Sequence, residues 1–178
     1  VTTNSRYQSN LAINGLDAVA ENVKIIPTPK NVTYSKGSAT IDSSWEIVEI
    51  GGLAFEADYL QQRLRESGLA MAKKVSTGNT KKQVIELNID KKILHAEAYE
   101  LNITSEKVVI SANGAAGIFY GVQSFLSLLP VEKSAVKSVP ALRVFDEPRA
   151  QWRGMHYDLA RNFHGKDSVL ELAEQMGR

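Results

Sequence analysis

Apolar and polar positions along this chain follow two periods, and the change from one to the other outlines its elements. Leu53, Ala57, Leu60 and Leu64 recur at helical spacing with charged residues between them, and Gly68 follows as a stop signal. This predicts an amphipathic helix. A stronger one is predicted further on, where Ile118, Val122, Phe125 and Leu129 form one stripe, widened by Phe119 and Leu126. Asn113 is placed to cap its start, and Pro130 bars its continuation. Gly117 and Gly121 lie four apart on another face. Glycine weakens a helix, so the pair predicts close approach of a neighbouring backbone.

The period of two marks the strands. Ile85, Leu87 and Ile89 alternate, as do Tyr99, Leu101 and Ile103, and both runs read as half-buried strands. Val108 to Ile110 follows Ser105-Glu106, which predicts a hairpin. Val32 to Tyr34 and Ala39 to Ile41 flank Lys36-Gly37-Ser38, which predicts another. Trp45 to Ile50 is a strand ended by Gly51-Gly52. The short apolar run Val23 to Ile26 is stopped by Pro27-Thr28-Pro29. Val131 to Ser138 is a polar connection, Val139 to Phe145 a strand interrupted early by Pro140, and Gln151 to Leu159 another strand. A last helix begins at Asp167 or Ser168, where Ser168 to Glu171 fits a capping box, with Val169, Ala173 and Met176 along one face.

Many strands in hairpins with two full helices predict an α+β fold: a mostly antiparallel sheet with two helices on one face. The final strand and helix break that pattern and read as the first unit of a β/α succession. Residues 1–22 are polar, with Leu11, Ile13, Leu16 and Val19 in no sustained period, and read as a linker or tail from an upstream domain.

Composition narrows the chemistry. The chain is 43% hydrophobic and 23% charged, ordinary for a globular protein, and its formal net charge is +1. Near balance argues against nucleic acid as the main partner. With no cysteine, thiol catalysis, disulfides and thiolate metal sites are excluded. The most apolar segment, Gly117 to Leu129, is broken by Gln123 and Ser124, so no membrane span is expected. Asn31-Val-Thr33 and Asn102-Ile-Thr104 match the glycosylation acceptor pattern but fall in predicted strands and read as chance matches. His95, His156 and His164 lack metal-ligand spacing, so neither metal nor cofactor is expected. Trp45, Tyr34, Tyr59 and Tyr99 read as core aromatics in preference to a sugar platform.

Three ordered stretches carry a resemblance. They are Ile25-Ile26-Pro27-Thr28-Pro29, then Glu97 to Leu101 through Gly114 to Phe125, then Asp146-Glu147-Pro148-Arg149 through Asp158-Leu-Ala-Arg161-Asn162-Phe163. Together they resemble the family 20 glycoside hydrolases, the β-N-acetylhexosaminidases, and among them the bacterial chitobiase-like members. Asn162 departs from the histidine common at its place in much of the family, which agrees with that subgroup.

The resemblance implies an auxiliary α+β domain over residues 23–148. It also implies that residues 149–178 supply the first strand and helix of a (β/α)8 barrel, a fold that needs eight units and runs to roughly 250 residues. It places the catalytic Asp-Glu pair after a later barrel strand. On this reading the complete enzyme removes N-acetylhexosamine from chito-oligosaccharides or glycans, and this chain alone is an inactive scaffold whose partner is the remainder of the barrel. A periplasmic, outer-membrane-associated or secreted bacterial location is also implied.

Arg153 is the substrate-binding candidate. A guanidinium offers five rigid donors suited to paired ring hydroxyls, and the resemblance gives the Trp152-Arg153-Gly154 arginine that contact. Asp158 lies an odd number of positions away and would face oppositely on a strand. It reads with Arg161 as a structural pair that fixes the strand-to-helix loop. No catalytic residue is expected within the chain. Two rival readings are a free-standing carbohydrate-binding or protein-interaction module, and a metallopeptidase-like domain. Strand 151–159 is expected to expose an edge, and mobility to rise from about Gln151 onward.

Overall fold

A computed structural model describes residues 25–75 and 83–177. The tail read over residues 1–22 and the start of the Val23 to Ile26 run lie outside them. The chain divides into two compact units, Val1–Glu147 and Pro148–Arg178.

The first unit is built on one seven-stranded sheet: β1 (Asn31–Ile41), β2 (Glu46–Ile50), β3 (Ala72–Val75), β4 (Val84–Ile89), β5 (Tyr99–Ile103), β6 (Lys107–Ala112) and β7 (Lys137–Asp146). The spatial order is β1-β7-β5-β6-β4-β2-β3. The pairs β1–β7, β7–β5 and β5–β6 are antiparallel. The pairs β6–β4, β4–β2 and β2–β3 are parallel. The sheet is therefore evenly mixed, not mostly antiparallel as the hairpin signals predicted. Hairpin turns announce themselves locally, whereas parallel neighbours are joined by crossovers that leave no such mark.

The two predicted helices form as α1 (Ala54–Glu66) and α2 (Ala115–Leu128). Both pack on the same face. Ala57, Leu60 and Leu64 of α1 and Ile118, Val122 and Phe125 of α2 share one core with Ile85, Leu87, Leu101, Val108, Ile110 and Val144 from the sheet. At the alternate strand positions, on the opposite face, Lys107 pairs with Glu86 at 2.7 Å and Arg143 with Glu100 at 2.9 Å. The period-two pattern thus sorts apolar chains toward the helices and charges away from them.

Local chemistry sets the helix ends. Gly68, at φ +99°, closes α1 by letting Leu69 N–H reach Leu64 O at 2.8 Å. At the other end the buried Glu49 accepts the Leu53 N–H at 2.8 Å, placing a carboxylate against the N-terminal turn. The expected Asn113 cap is not made: Gly114 occupies the cap position of α2, and Asn113 instead receives Lys91 Nζ at 3.1 Å.

The glycine pair behaves as its spacing predicts. A Cβ on Gly117 would lie 2.4 Å from Ala98 O, and one on Gly121 would lie 2.5 Å from Ile110 Cγ2. Helix α2 therefore sits almost directly on β5 and β6.

Two further expectations change. Lys36-Gly37-Ser38 is no hairpin turn. Residues 31–41 form a single strand, and Gly37, at φ +97°, occupies the register irregularity between Tyr34 and Ser38. Pro140 lies opposite Ser38 and outside the β5–β7 pairing, which runs from Leu142 to Asp146. Its missing N–H therefore costs β5 no partner.

Tyr99 shows how tightly β5 and α2 meet. Its hydroxyl lies 2.6 Å from Ser124 Oγ, and burial raises its pKa from the ordinary 10.0 to about 12. The folded state thus favours the protonated phenol. That contribution is complete below pH 10 and is lost as pH rises through about 12. In a spectrophotometric titration, one of the six tyrosines is expected to ionise about two pH units after the ordinary value, and the Tyr99→Phe variant to lack that late step.

Candidate functional site

The second unit carries the candidate residues. Its helix α3 (Lys166–Met176) has no buried residue, and Trp152 and Phe163 are 84% and 86% exposed. This unit therefore has no closed core of its own among the described residues. Gly165 occupies the N-cap position with no side-chain cap, so the predicted capping box at Ser168 is not formed. Val169 is half-buried, while Ala173 and Met176 are exposed.

The predicted strand at Gln151 to Leu159 is absent: residues 151–159 carry no regular secondary structure. A strand is defined by its ladder, and no described segment pairs with this one. The alternation expected to separate Arg153 from Asp158 therefore does not apply.

Arg153 is exposed and donates from Nη1 to Ala150 O at 2.8 Å. Asp158 and Arg161 are brought together. Asp158 Oδ1 accepts the backbone N–H of Ala160 at 3.0 Å and of Arg161 at 3.1 Å, and Oδ2 receives Arg161 Nε at 2.5 Å. The Arg161 backbone N–H, followed by its side chain, holds the Asp158 carboxyl below its ordinary range. This cluster folds the segment back on itself just ahead of α3.

The other candidates are dispersed. Trp45 and Tyr99 are buried in the core, Tyr59 is half-buried against Phe119 at 5.1 Å, and Tyr34 is exposed. The expectation that all four are core aromatics fails for Tyr34, which lies on β1 at one edge of the sheet, with no further strand beyond it among the described residues. His95 accepts the Glu97 N–H at Nδ1, and His164 stacks near Tyr157 at 5.1 Å. Among the described residues, no three His, Asp or Glu side chains gather as a metal would require, and no helix is long and apolar enough to cross a membrane.

One arrangement escaped the sequence reading. Lys30, immediately before β1, donates its backbone N–H to Asp146 Oδ1 at 3.1 Å and its Nζ to Glu147 Oε1 at 2.5 Å. The partners are 116 and 117 positions apart. No local pattern could join them. Asp146-Glu147 is thereby engaged in closing the first unit.

Residues 22–147 match the family model described as "Glycosyl hydrolase family 20, domain 2". The chain is 33% identical over 175 residues to a β-hexosaminidase of Vibrio vulnificus, covering 98% of this chain and 20% of that protein. It is 30% identical over 172 residues to the N,N'-diacetylchitobiase of Vibrio harveyi, covering 97% of this chain and 19% of that one. Among solved structures, the β-N-acetylhexosaminidase of Streptomyces coelicolor aligns with a TM-score of 0.75 at 28% identity, over 86% of this chain and 32% of the other. The chain thus spans about a fifth of the length of these curated relatives.

Proposed function

Because the chain belongs to glycosyl hydrolase family 20, we propose that the complete protein is a β-N-acetylhexosaminidase that removes terminal N-acetylhexosamine from chito-oligosaccharides or glycans. The observation that carries this is continuity: the family's second domain runs to Glu147, and similarity to a β-hexosaminidase extends over nearly the whole chain.

In this reading, residues 23–148 are an auxiliary domain that supports a catalytic (β/α)8 barrel beginning near residue 149. The substrate's acetamido oxygen attacks the anomeric carbon and displaces the protonated leaving oxygen with inversion, forming a cyclic oxazolinium; water then attacks the same carbon and reopens the ring with a second inversion, so configuration is retained without a protein nucleophile. A carboxylate pair from the rest of the barrel orients that amide and protonates the leaving oxygen. The Asp146-Glu147 pair is read as structural, with Lys30 donating to both side chains. Arg153 grips ring hydroxyls of the terminal sugar through two parallel donors, and Asp158 with Arg161 holds the following loop in shape. The chain alone is a scaffold without turnover, and its partner is the rest of the barrel. A location outside the bacterial cytoplasm belongs to the same proposal.

The test is hydrolysis of an aryl N-acetylglucosaminide by the complete protein. Turnover supports the reading, and none in an intact, folded preparation overturns it. A free-standing sugar-binding module would instead show submillimolar binding of chitobiose by the 178-residue chain.

A further inference from the structure

We propose that Asn113-Gly114, the two residues between β6 and α2, is a site of spontaneous asparagine deamidation in the folded protein, and that Lys91 promotes it. This chemistry is independent of the hexosaminidase reading above.

Deamidation needs a side-chain amide, a free backbone N–H on the next residue, and room for the two to meet. Asn113 is half-buried, directly ahead of α2. Gly114 carries no side chain, and the place its Cβ would take has nothing within 4 Å. Its backbone is extended, and among the described residues no group accepts its N–H, one of the donors that a helix start leaves unpaired. Lys91 adds an activating charge. Its Nζ donates to the Asn113 main-chain O at 2.6 Å and to Oδ1 at 3.1 Å, so both carbonyls converge on one cation. The amide nitrogen, which must depart, donates to Leu94 O at a long 3.4 Å.

The steps balance with water alone. Gly114 N gives its proton to solvent and bonds to Asn113 Cγ. Negative charge develops on Oδ1, where the Lys91 ammonium already sits. The Cγ–Nδ2 bond breaks, and the nitrogen leaves as ammonia after taking a proton from solvent, which closes a cyclic imide. Water then adds to either imide carbonyl. Breaking the bond from the ring nitrogen to Cγ gives aspartate. Breaking its bond to the main-chain carbonyl carbon gives isoaspartate, whose main chain runs through Cβ and Cγ. The two products act oppositely. Aspartate sets a carboxylate beside Lys91 and ahead of the α2 N-terminus, and both placements are favourable. Isoaspartate lengthens the main chain entering α2, where Gly117 lies so close to the sheet that a Cβ on it would be 2.4 Å from Ala98 O.

The test incubates the complete protein at mildly alkaline pH, folded and in urea, as wild type, Lys91→Met and Gly114→Ala. Conversion at residue 113 is followed by peptide mass mapping. Asn14-Gly15, the other such pair in the chain, is scored in the same digests as the reference. Folded wild type is expected to convert at Asn113, Lys91→Met to convert there about fivefold more slowly, and Gly114→Ala to lose the reaction. In urea, where the contact is gone, wild type and Lys91→Met are expected to convert at the same rate. Asn14 is expected to convert alike in all three proteins. The Asn113→Asp variant is expected to melt no lower than wild type, and isoaspartate-rich protein to melt below it. An Asn113 that stays intact in folded protein while the urea-treated protein converts would overturn the proposal, as would equal folded rates at Asn113 for wild type and Lys91→Met.

Discussion

Replacing Arg153 with alanine in the complete protein is expected to lower kcat/KM for an aryl N-acetylglucosaminide by about 100- to 1000-fold. Two charge-assisted hydrogen bonds to adjacent hydroxyls, each near the lower end of about 1.5–3 kcal/mol, account for that range. The truncation removes both donors and leaves the substrate's hydroxyls without them. Arg153→Lys is expected to recover only part of the loss, because an ammonium cannot present two parallel donors. The fold should not suffer. Arg153 is exposed, lies outside the core of the first unit, and donates to the Ala150 carbonyl three residues away. Steady-state kinetics with a melting curve on the same samples checks this. A loss below tenfold would remove Arg153 from the substrate contact.

The second large effect concerns stability. Gly117→Ala is expected to destabilise the first unit by about 3 kcal/mol and to lower its melting temperature by roughly 10 °C. The added Cβ would lie 2.4 Å from Ala98 O and 2.7 Å from Ala112 Cβ. The first of these is backbone and cannot turn aside, so α2 must lift from β5 and β6. Since Ile118, Val122 and Phe125 fill the core from the same helix, lifting it opens the packing along its length. Gly114→Ala is the matched control. Its Cβ meets nothing within 4 Å, and the backbone there is extended, so the change is expected to stay within about 0.5 kcal/mol. Calorimetry of both variants decides it. Equal melting temperatures would show that the helix does not bear on the sheet as closely as the geometry requires.

How much of this was legible in the sequence depended on whether the cause was local. The stripe from Ile118 to Leu129 and the Gly117/Gly121 pair announced both α2 and its close contact, because each residue's role follows from its position on a single helix. The β5–β6 hairpin was legible for the same reason. The parallel ladder β6-β4-β2-β3 was not. Val84 and Glu86 are buried along with Ile85 and Leu87, so the apparent half-buried alternation concealed a central strand. β3 carries Lys73 and Lys74 and has no apolar alternation to betray it. Gly37 served a strand irregularity where its sequence suggested a turn; a positive φ meets either need.

The candidate site was legible only in part. Asp158 and Arg161 were read as a pair and are joined three residues apart, within the reach of one loop. The strand expected to carry Arg153 was read from composition, yet a strand depends on a neighbour that composition cannot supply. The Lys30 clasp spans nearly the whole first unit, so only the folded arrangement reveals it.

On the proposed reading, this chain supplies the support, and one sugar-gripping arginine, for catalytic carboxylates carried elsewhere in the complete protein. The direct measurement is release of the aryl group from an aryl N-acetylglucosaminide by the complete protein and by the homogeneous 178-residue chain, side by side. Turnover by the first and none by the second is the predicted result. Cleavage by the isolated chain, or inertness of the intact protein, would contradict it.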